Sequence, residues 1–166
     1  KMTEIGDDIV VLAPVYNIFY NSILNNGRKV LASELRYADG SYTIDYANLA
    51  EKLSRETTSL FIFCNPHNPI GKVWDRPTLE RIAELCIKHD VPVVSDEIHC
   101  DLTHIGHAYI PFASLSKEIA DRTISCIAPT KTFNIAGLQT AAIVIPNPEI
   151  RKQIDRGINT DEVAEP

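Results

Sequence analysis

Residues 58–71 read TSLFIFCNPHNPIG. The first seven, Thr58 to Cys64, form a continuous, largely apolar run. It is too short for a stable helix and has the composition of a strand covered on both faces. The next seven change character at once. Two X-Pro steps and a glycine make Asn65 to Gly71 an irregular, rigid loop. A buried strand that ends on such a loop is the unit from which open parallel sheets build ligand sites. The fold therefore turns on whether that unit recurs.

It recurs on both sides. Upstream, DIVVLA (8–13) reads as a buried strand stopped by Pro14. Asn17 to Leu24 carries apolar residues at helical spacing, with Asn25, Asn26 and Gly27 as the stop. Lys29 to Leu35 is a second short strand, Asp39-Gly40 a turn, and a helix starts near Asp45 with Tyr46, Leu49, Ala50 and Leu53 on one face. Downstream, Asp75 can cap a helix that has Pro77 in its first turn and Leu79, Ile82, Ala83 and Cys86 as its apolar stripe. Three more strands are expected at Val91–Ser95, Thr123–Ala128 and Thr140–Ile145, and a helix over Glu149–Ile158. Strands alternating with amphipathic helices predict an α/β fold, a mostly parallel sheet with helices on both faces.

The composition agrees with that class. In 166 residues, 45% are hydrophobic and 23% charged, which excludes disorder or coiled coil as a description of the chain. A net charge of −6 argues against a broad nucleic-acid surface. No apolar run approaches the roughly 20 residues of a bilayer span, and no apolar region follows Lys1 as in a secretory signal. Cys64, Cys86, Cys100 and Cys126 form no C-x-x-C pair and sit in or beside apolar stretches, the pattern of a reducing, cytoplasmic protein. The Lys1 start and the AEP end predict a chain cut from a longer one.

Ligands of open sheets bind at the carboxyl ends of the strands. Three such ends carry an amide at Asn68, a carboxylate at Asp96 and an amine at Lys131, spaced 28 and 35 residues apart. Each has an ordinary structural use: a loop tie, a helix cap, a solvated lysine. Together they are what an aldehyde cofactor with a basic ring nitrogen requires.

With PVY (14–16), NPHNPIG (65–71), SDEIH (95–99) and APTKTFNIAGL (128–138) in this order, the chain resembles pyridoxal-phosphate enzymes of the aspartate aminotransferase fold (fold type I). Within them it looks most similar to the cystathionine β-lyase/C–S lyase subgroup. The resemblance implies that residues 1–166 are the central part of the large, cofactor-binding domain, with an N-terminal segment and a C-terminal small domain lying outside them. It implies pyridoxal 5'-phosphate held by Lys131 as a Schiff base, with Lys131 also shuttling the Cα proton. Asp96 would pair with the ring nitrogen, Asn68 would bond the phenolic oxygen, Tyr16 would stack on the ring, and His99 stands where many relatives use a tyrosine for that oxygen. The implied reaction is β-elimination from small sulfur amino acids such as cystathionine or cysteine, by a homodimer. Amino transfer to a 2-oxo acid, and a non-catalytic binding or regulatory module on the same fold, are the alternatives. The segment alone is expected to be inactive or nearly so.

Departures from the family pattern fall on the phosphate side. Ala128 replaces a serine, Gln139 an arginine and Ile70 a threonine, with Thr130 a candidate substitute for the serine. Other constellations read as structure. His99, Cys100, Asp101, His104 and His107 match no helix-borne zinc spacing, so no metal is expected. Arg76, Glu80, Arg81, Glu84 and Lys88 read as a solvated helix face, and Trp74 as a packing anchor. No G-x-G-x-x-G or P-loop is present.

Overall fold

The computed structural model describes residues 2–160. Its main sheet has six strands: β1 (Asp8–Ala13), β2 (Lys29–Glu34), β5 (Thr58–Cys64), β6 (Val93–Asp96), β7 (Thr123–Ile127) and β8 (Ala142–Val144). Their order across the sheet is β2-β1-β5-β6-β7-β8. Each neighbouring pair is parallel except β7 with β8, which is antiparallel. A separate hairpin pairs β3 (Arg36–Ala38) with β4 (Ser41–Thr43) around Asp39-Gly40. Both turn residues have positive φ, 51° at Asp39 and 76° at Gly40, as a tight hairpin turn demands. The turn was legible in sequence; the two short strands beside it were not.

The helices pack on both faces. On one face, α1 (Asn17–Asn25) covers the odd residues of β1, with Phe19, Tyr20 and Ile23 against Ile9 and Val11. On the other, α2 (Tyr46–Leu53), α3 (Arg76–Lys88) and α4 (Lys117–Ala120) cover Val10, Leu12, Phe61, Phe63 and Val93. Strand alternation sorts these two sets. Asp75 caps α3 as the sequence predicts, accepting from Thr78 N at 3.0 Å, and Asp45 caps α2, accepting from Asn48 N at 3.1 Å. Trp74 is a buried packing anchor, and Arg76 pairs with Glu80 at 3.5 Å on the exposed helix face. Arg81 instead stacks over the Tyr46 ring, 3.9 Å from its centre.

Several boundaries move by a residue or two. β6 begins at Val93 rather than Val91, because Pro92 has no N–H for a ladder and contributes only its carbonyl, to Phe61 N at 3.0 Å. The last strand is shorter than the expected 140–145, and the last helix, α5 (Pro148–Thr160), begins one residue earlier. The short α4 was not anticipated; four residues leave too little periodicity to read. It is capped by Ser116, whose Oγ accepts from Ile119 N at 3.2 Å.

Among the described residues no helix is long and apolar enough to cross a membrane. The chain changes direction across the sheet between β1 and β5, since β2 lies on one side of β1 and every later strand of this sheet on the other. That switch opens a crevice at the carboxyl edge, where the loops after β1, β5, β6 and β7 converge.

Candidate functional site

The loop after β5 is built from within. Asn65, fully buried, accepts from Trp74 N at 3.1 Å and donates to Ile110 O at 3.4 Å. His67 pairs with Lys72 as a single bridge, its N–H donating to Lys72 O at 2.7 Å. Gly71 N closes the turn on His67 O at 2.9 Å, and Gly71 has φ 65°, which a side chain would resist. The His67 ring is buried and fully used. Nε2 meets Pro14 O at 3.0 Å, and Nδ1 accepts from Trp74 Nε1 at 3.4 Å. These contacts define the tautomer with the proton on Nε2. Burial holds the ring's pKa down at about 4, so it is neutral. His67 thus ties the exit of β1, just before Tyr16, to the turn that presents Asn68.

Asp96 ends β6 in the middle of a row. Parallel register sets Cys64 of β5, Asp96 and Cys126 of β7 side by side, on the α1 face of the sheet. The neighbouring row, Phe63, Ser95 and Ser125, faces the other way. Asp96 accepts from Ile98 N at 3.1 Å. Burial raises its carboxyl above the usual range, while the Ile98 N–H and the charge of His99 pull it down. Both flanking thiols are also pushed up, mainly by burial and then by the Asp96 charge: Cys64 to about 12 and Cys126 to about 11. Asp96 therefore sits between two neutral sulfurs. No lysine or arginine pairs with it among the described residues. A half-buried acid of this kind gains most from a cation brought by a ligand.

Glu97, one residue on, points to the opposite face and is fully engaged. Ser95 Oγ donates to it at 2.8 Å, Phe112 N at 3.0 Å, and the Tyr109 hydroxyl completes the set. The Tyr109 hydroxyl is raised by burial and by that carboxylate. Glu97 pins the loop after β6 to the core. Sequence reading passed over it and over His67, although strand alternation from Ser95 places Ser95 and Glu97 on one face and Asp96 on the other.

Asn68 and His99 line one cavity of about 500 Å3. Asp96, Tyr16 and Lys131 do not line it. His99 connects the two groups, since it faces the cavity and its charge acts on Asp96. Tyr16 stands at the start of α1, 43% exposed and edge-on to Phe19, with ring centres 6.0 Å apart. Lys131 is exposed on the turn after β7 and makes no side-chain hydrogen bond or ion pair among the described residues. Its turn is closed by Phe133 N to Pro129 O and by Ile135 N to Thr130 O, each at 3.0 Å. Thr132 Oγ1 donates to Asp101 Oδ2 at 3.0 Å, fastening that turn to the loop after β6. The five expected residues thus follow four neighbouring strands at one edge. Two of them, Asn68 and His99, share the cavity wall, Asp96 lies outside it three residues before His99, and Tyr16 and Lys131 are exposed.

On the phosphate side, Thr130 is buried and Gln139 is exposed with φ 47°. All four cysteines are free. Among the described residues no group of three or more His, Cys, Asp or Glu side chains could hold a metal ion.

The family model of class I and II aminotransferases matches residues 2–160. Cystathionine beta-lyase PatB of Bacillus subtilis (strain 168) is 54% identical over 145 residues, 87% of this chain and 38% of that protein. Kynurenine--oxoglutarate transaminase 3 of Rattus norvegicus is 33% identical over 144 residues, 82% of this chain and 31% of that one. The crystal structure of cystalysin from Treponema denticola, which contains a pyridoxal 5'-phosphate cofactor, superposes with a TM-score of 0.96 at 38% identity, over 99% of this chain and 42% of that one. The chain therefore spans well under half the length of the relatives it matches.

Proposed function

From the premise that this chain belongs to the class I and II aminotransferase family, we propose that it is the central part of the large domain of a pyridoxal-phosphate-dependent C–S lyase. The protein would release the β-sulfur substituent of amino acids such as cystathionine or cysteine. Its relatives named for that activity, and the cofactor in the superposed cystalysin, support the reading. The observation that carries it is Asp96, a desolvated carboxylate with no lysine or arginine partner among the described residues, set between two neutral thiols at the end of β6.

These residues fit the cofactor. Asp96 would hold the ring nitrogen in its cationic form, by the charge-assisted hydrogen bond its surroundings leave unfilled. Asn68 would donate its amide to the phenolic oxygen, with His99 beside it on the same cavity wall. Tyr16 would cover a ring face. When bound, the cofactor supplies an aldehyde for the amino group and an electron-withdrawing ring that acidifies the Cα proton. Lys131, exposed and unpaired among the described residues, would bind that aldehyde and, once the substrate's amino group had displaced it, would take the Cα proton. Elimination follows when the sulfur leaves before the proton returns. Thr130, buried beside Lys131, would take the place of the serine in the phosphate cup, while Gln139 stands where the arginine would be and lacks its charge, so the rest of the cup is incomplete here. We assign its completion to a segment outside this chain, together with the small domain that would clamp the substrate carboxylate.

We further propose a homodimer in a reducing, cytoplasmic setting. Four free cysteines and the exposed apolar residues Phe133, Leu138, Ile143 and Val144 support it.

The test uses the full-length protein with pyridoxal 5'-phosphate and cystathionine. Release of pyruvate and thiol, together with a borohydride-fixed adduct on Lys131, is the expected result. Turnover that depends on a 2-oxo acid, without thiol release, would establish the transaminase reading that the rat relative favours. Absence of an adduct would leave a non-catalytic module.

A further inference from the structure

The cavity that holds Asn68 and His99 extends away from them, between the β3–β4 hairpin, the turn at 68–72 and the loop at 99–107. Its lining includes Lys72, His104 and His107. Among the described residues, no aspartate or glutamate lines it. In a chain of net charge −6, a cavity of about 500 Å3 walled by a lysine and histidines without one acid is a selective electrostatic feature.

We propose that this cavity receives a second carboxylate, the one at the far end of a β-thioether substrate. The proposal rests on the C–S lyase reading and names the substrates that reading favours: those whose leaving thiol carries an acid.

Lys72 is the anchor. Its ammonium is held from two sides, by Ser41 Oγ at 3.1 Å and by the Trp74 ring, 5.3 Å from the centre. An ammonium has three donors, so that anchoring leaves others for a ligand. The nearby acids are committed elsewhere. Asp75, which feels the Lys72 charge, caps α3 through Thr78 N at 3.0 Å, and Asp101 takes Thr132 Oγ1 at 3.0 Å. His67 also lines the cavity, but both of its ring nitrogens are in use, so it contributes wall and not contact. His104 and His107 sit on an exposed turn closed by His107 N to His104 O at 3.0 Å, where their rings can supply N–H donors at the mouth. A volume of about 500 Å3 has room for a leaving group of several carbons and its carboxylate. Asn68 and His99, to which the proposed function assigns the cofactor's oxygen, line the same cavity as Lys72, so one ligand can extend from the cofactor to that ammonium.

The experiment compares S-(3-carboxypropyl)-L-cysteine with the uncharged S-butyl-L-cysteine, which has the same number of carbons in the leaving group, on the full-length, cofactor-loaded protein. We expect kcat/KM to favour the acid about tenfold, chiefly through KM, the size of one charge-assisted hydrogen bond. The double variant Lys72→Met/His107→Gln should erase most of that ratio, and Lys72→Arg should retain it. Calorimetry of the two product thiols, 4-sulfanylbutanoate and butanethiol, gives the same comparison without turnover. If neither amino acid releases thiol, the lyase reading fails, while the calorimetric ratio still decides the subsite. Equal affinities for acid and alkyl thiol in the unsubstituted protein, or a preference that survives the double variant, would overturn the proposal.

Discussion

The two arms of the site are built differently. The arm after β5, Asn65–Gly71, is fastened by buried side chains: Asn65 to Trp74 and Ile110, His67 to Pro14 and Trp74, Cys64 Sγ to Pro66 O at 3.2 Å. The arm after β7, which carries Lys131, is closed by backbone turns and one exposed side-chain bond, Thr132 to Asp101. Phe133 and Leu138 on it are 68% and 64% exposed. The first arm presents Asn68 with its ordering cost already met by the core. The second leaves its amine unpaired among the described residues, which suits the aldehyde-binding and proton-transfer role proposed for it.

The sharpest way to break this contrast is to delete one functional group from each arm. Lys131→Ala should cost the full-length protein about a thousandfold or more in thiol release, with the unfolding midpoint nearly unchanged because the side chain is exposed and makes no hydrogen bond or ion pair among the described residues. Steady-state assay and thermal denaturation together check it. A large loss of stability would mean that the lysine arm is structural. His67→Ala should do the reverse to the folded state. It orphans Pro14 O and Trp74 Nε1–H and leaves a void, at a cost of about 3 kcal/mol by urea denaturation.

His67 also sharpens the contrast through pH. In the folded state its pKa is down at about 4, against 6.5 for the unperturbed ring. The unfolded chain takes a proton below about 6.5 that the native state refuses, so stability is full above that pH and falls as pH drops toward 4, by about 3 kcal/mol in all. Urea midpoints at pH 7 and 4.5 measure this, and His67→Gln should flatten the slope.

Asp96→Asn tests the junction between the arms. Burial opposes the ionised carboxyl, so the cofactor-free protein should gain stability at pH 7. Cofactor retention should weaken by about tenfold or more, the loss of a charge-assisted hydrogen bond. Equilibrium dialysis and a melting curve read the two opposite signs; a variant that loses both would show Asp96 to be a structural acid. The smallest effect is expected at Thr132→Ala, about 0.5–1 kcal/mol of loosening, seen as faster amide exchange over 130–135 with the core unaffected.

Much of this was legible in the chain. Asp8–Ala13 and Thr58–Cys64 appear where their apolar runs place them, and Asp75 caps the helix it precedes. Proline and glycine marked the loop at 65–71. The roles of His67 and Glu97 were not legible, because each is defined by partners far along the chain: Pro14 is 53 residues from His67, and Phe112 is 15 from Glu97. The antiparallel entry of β8 was equally hidden, since three residues carry no directional pattern.

By itself, then, the sequence determined the alternation of buried strands and helices and the chemical groups that follow each strand. Those depend on local propensity and on contiguous residues. Only the tertiary structure decided that Asp96 stands between two thiols, that Asn68 and His99 share a cavity with Lys72, and that Lys131 is left exposed. Those outcomes depend on strand order and register, which are fixed by side-chain packing between segments that meet only when the sheet has formed.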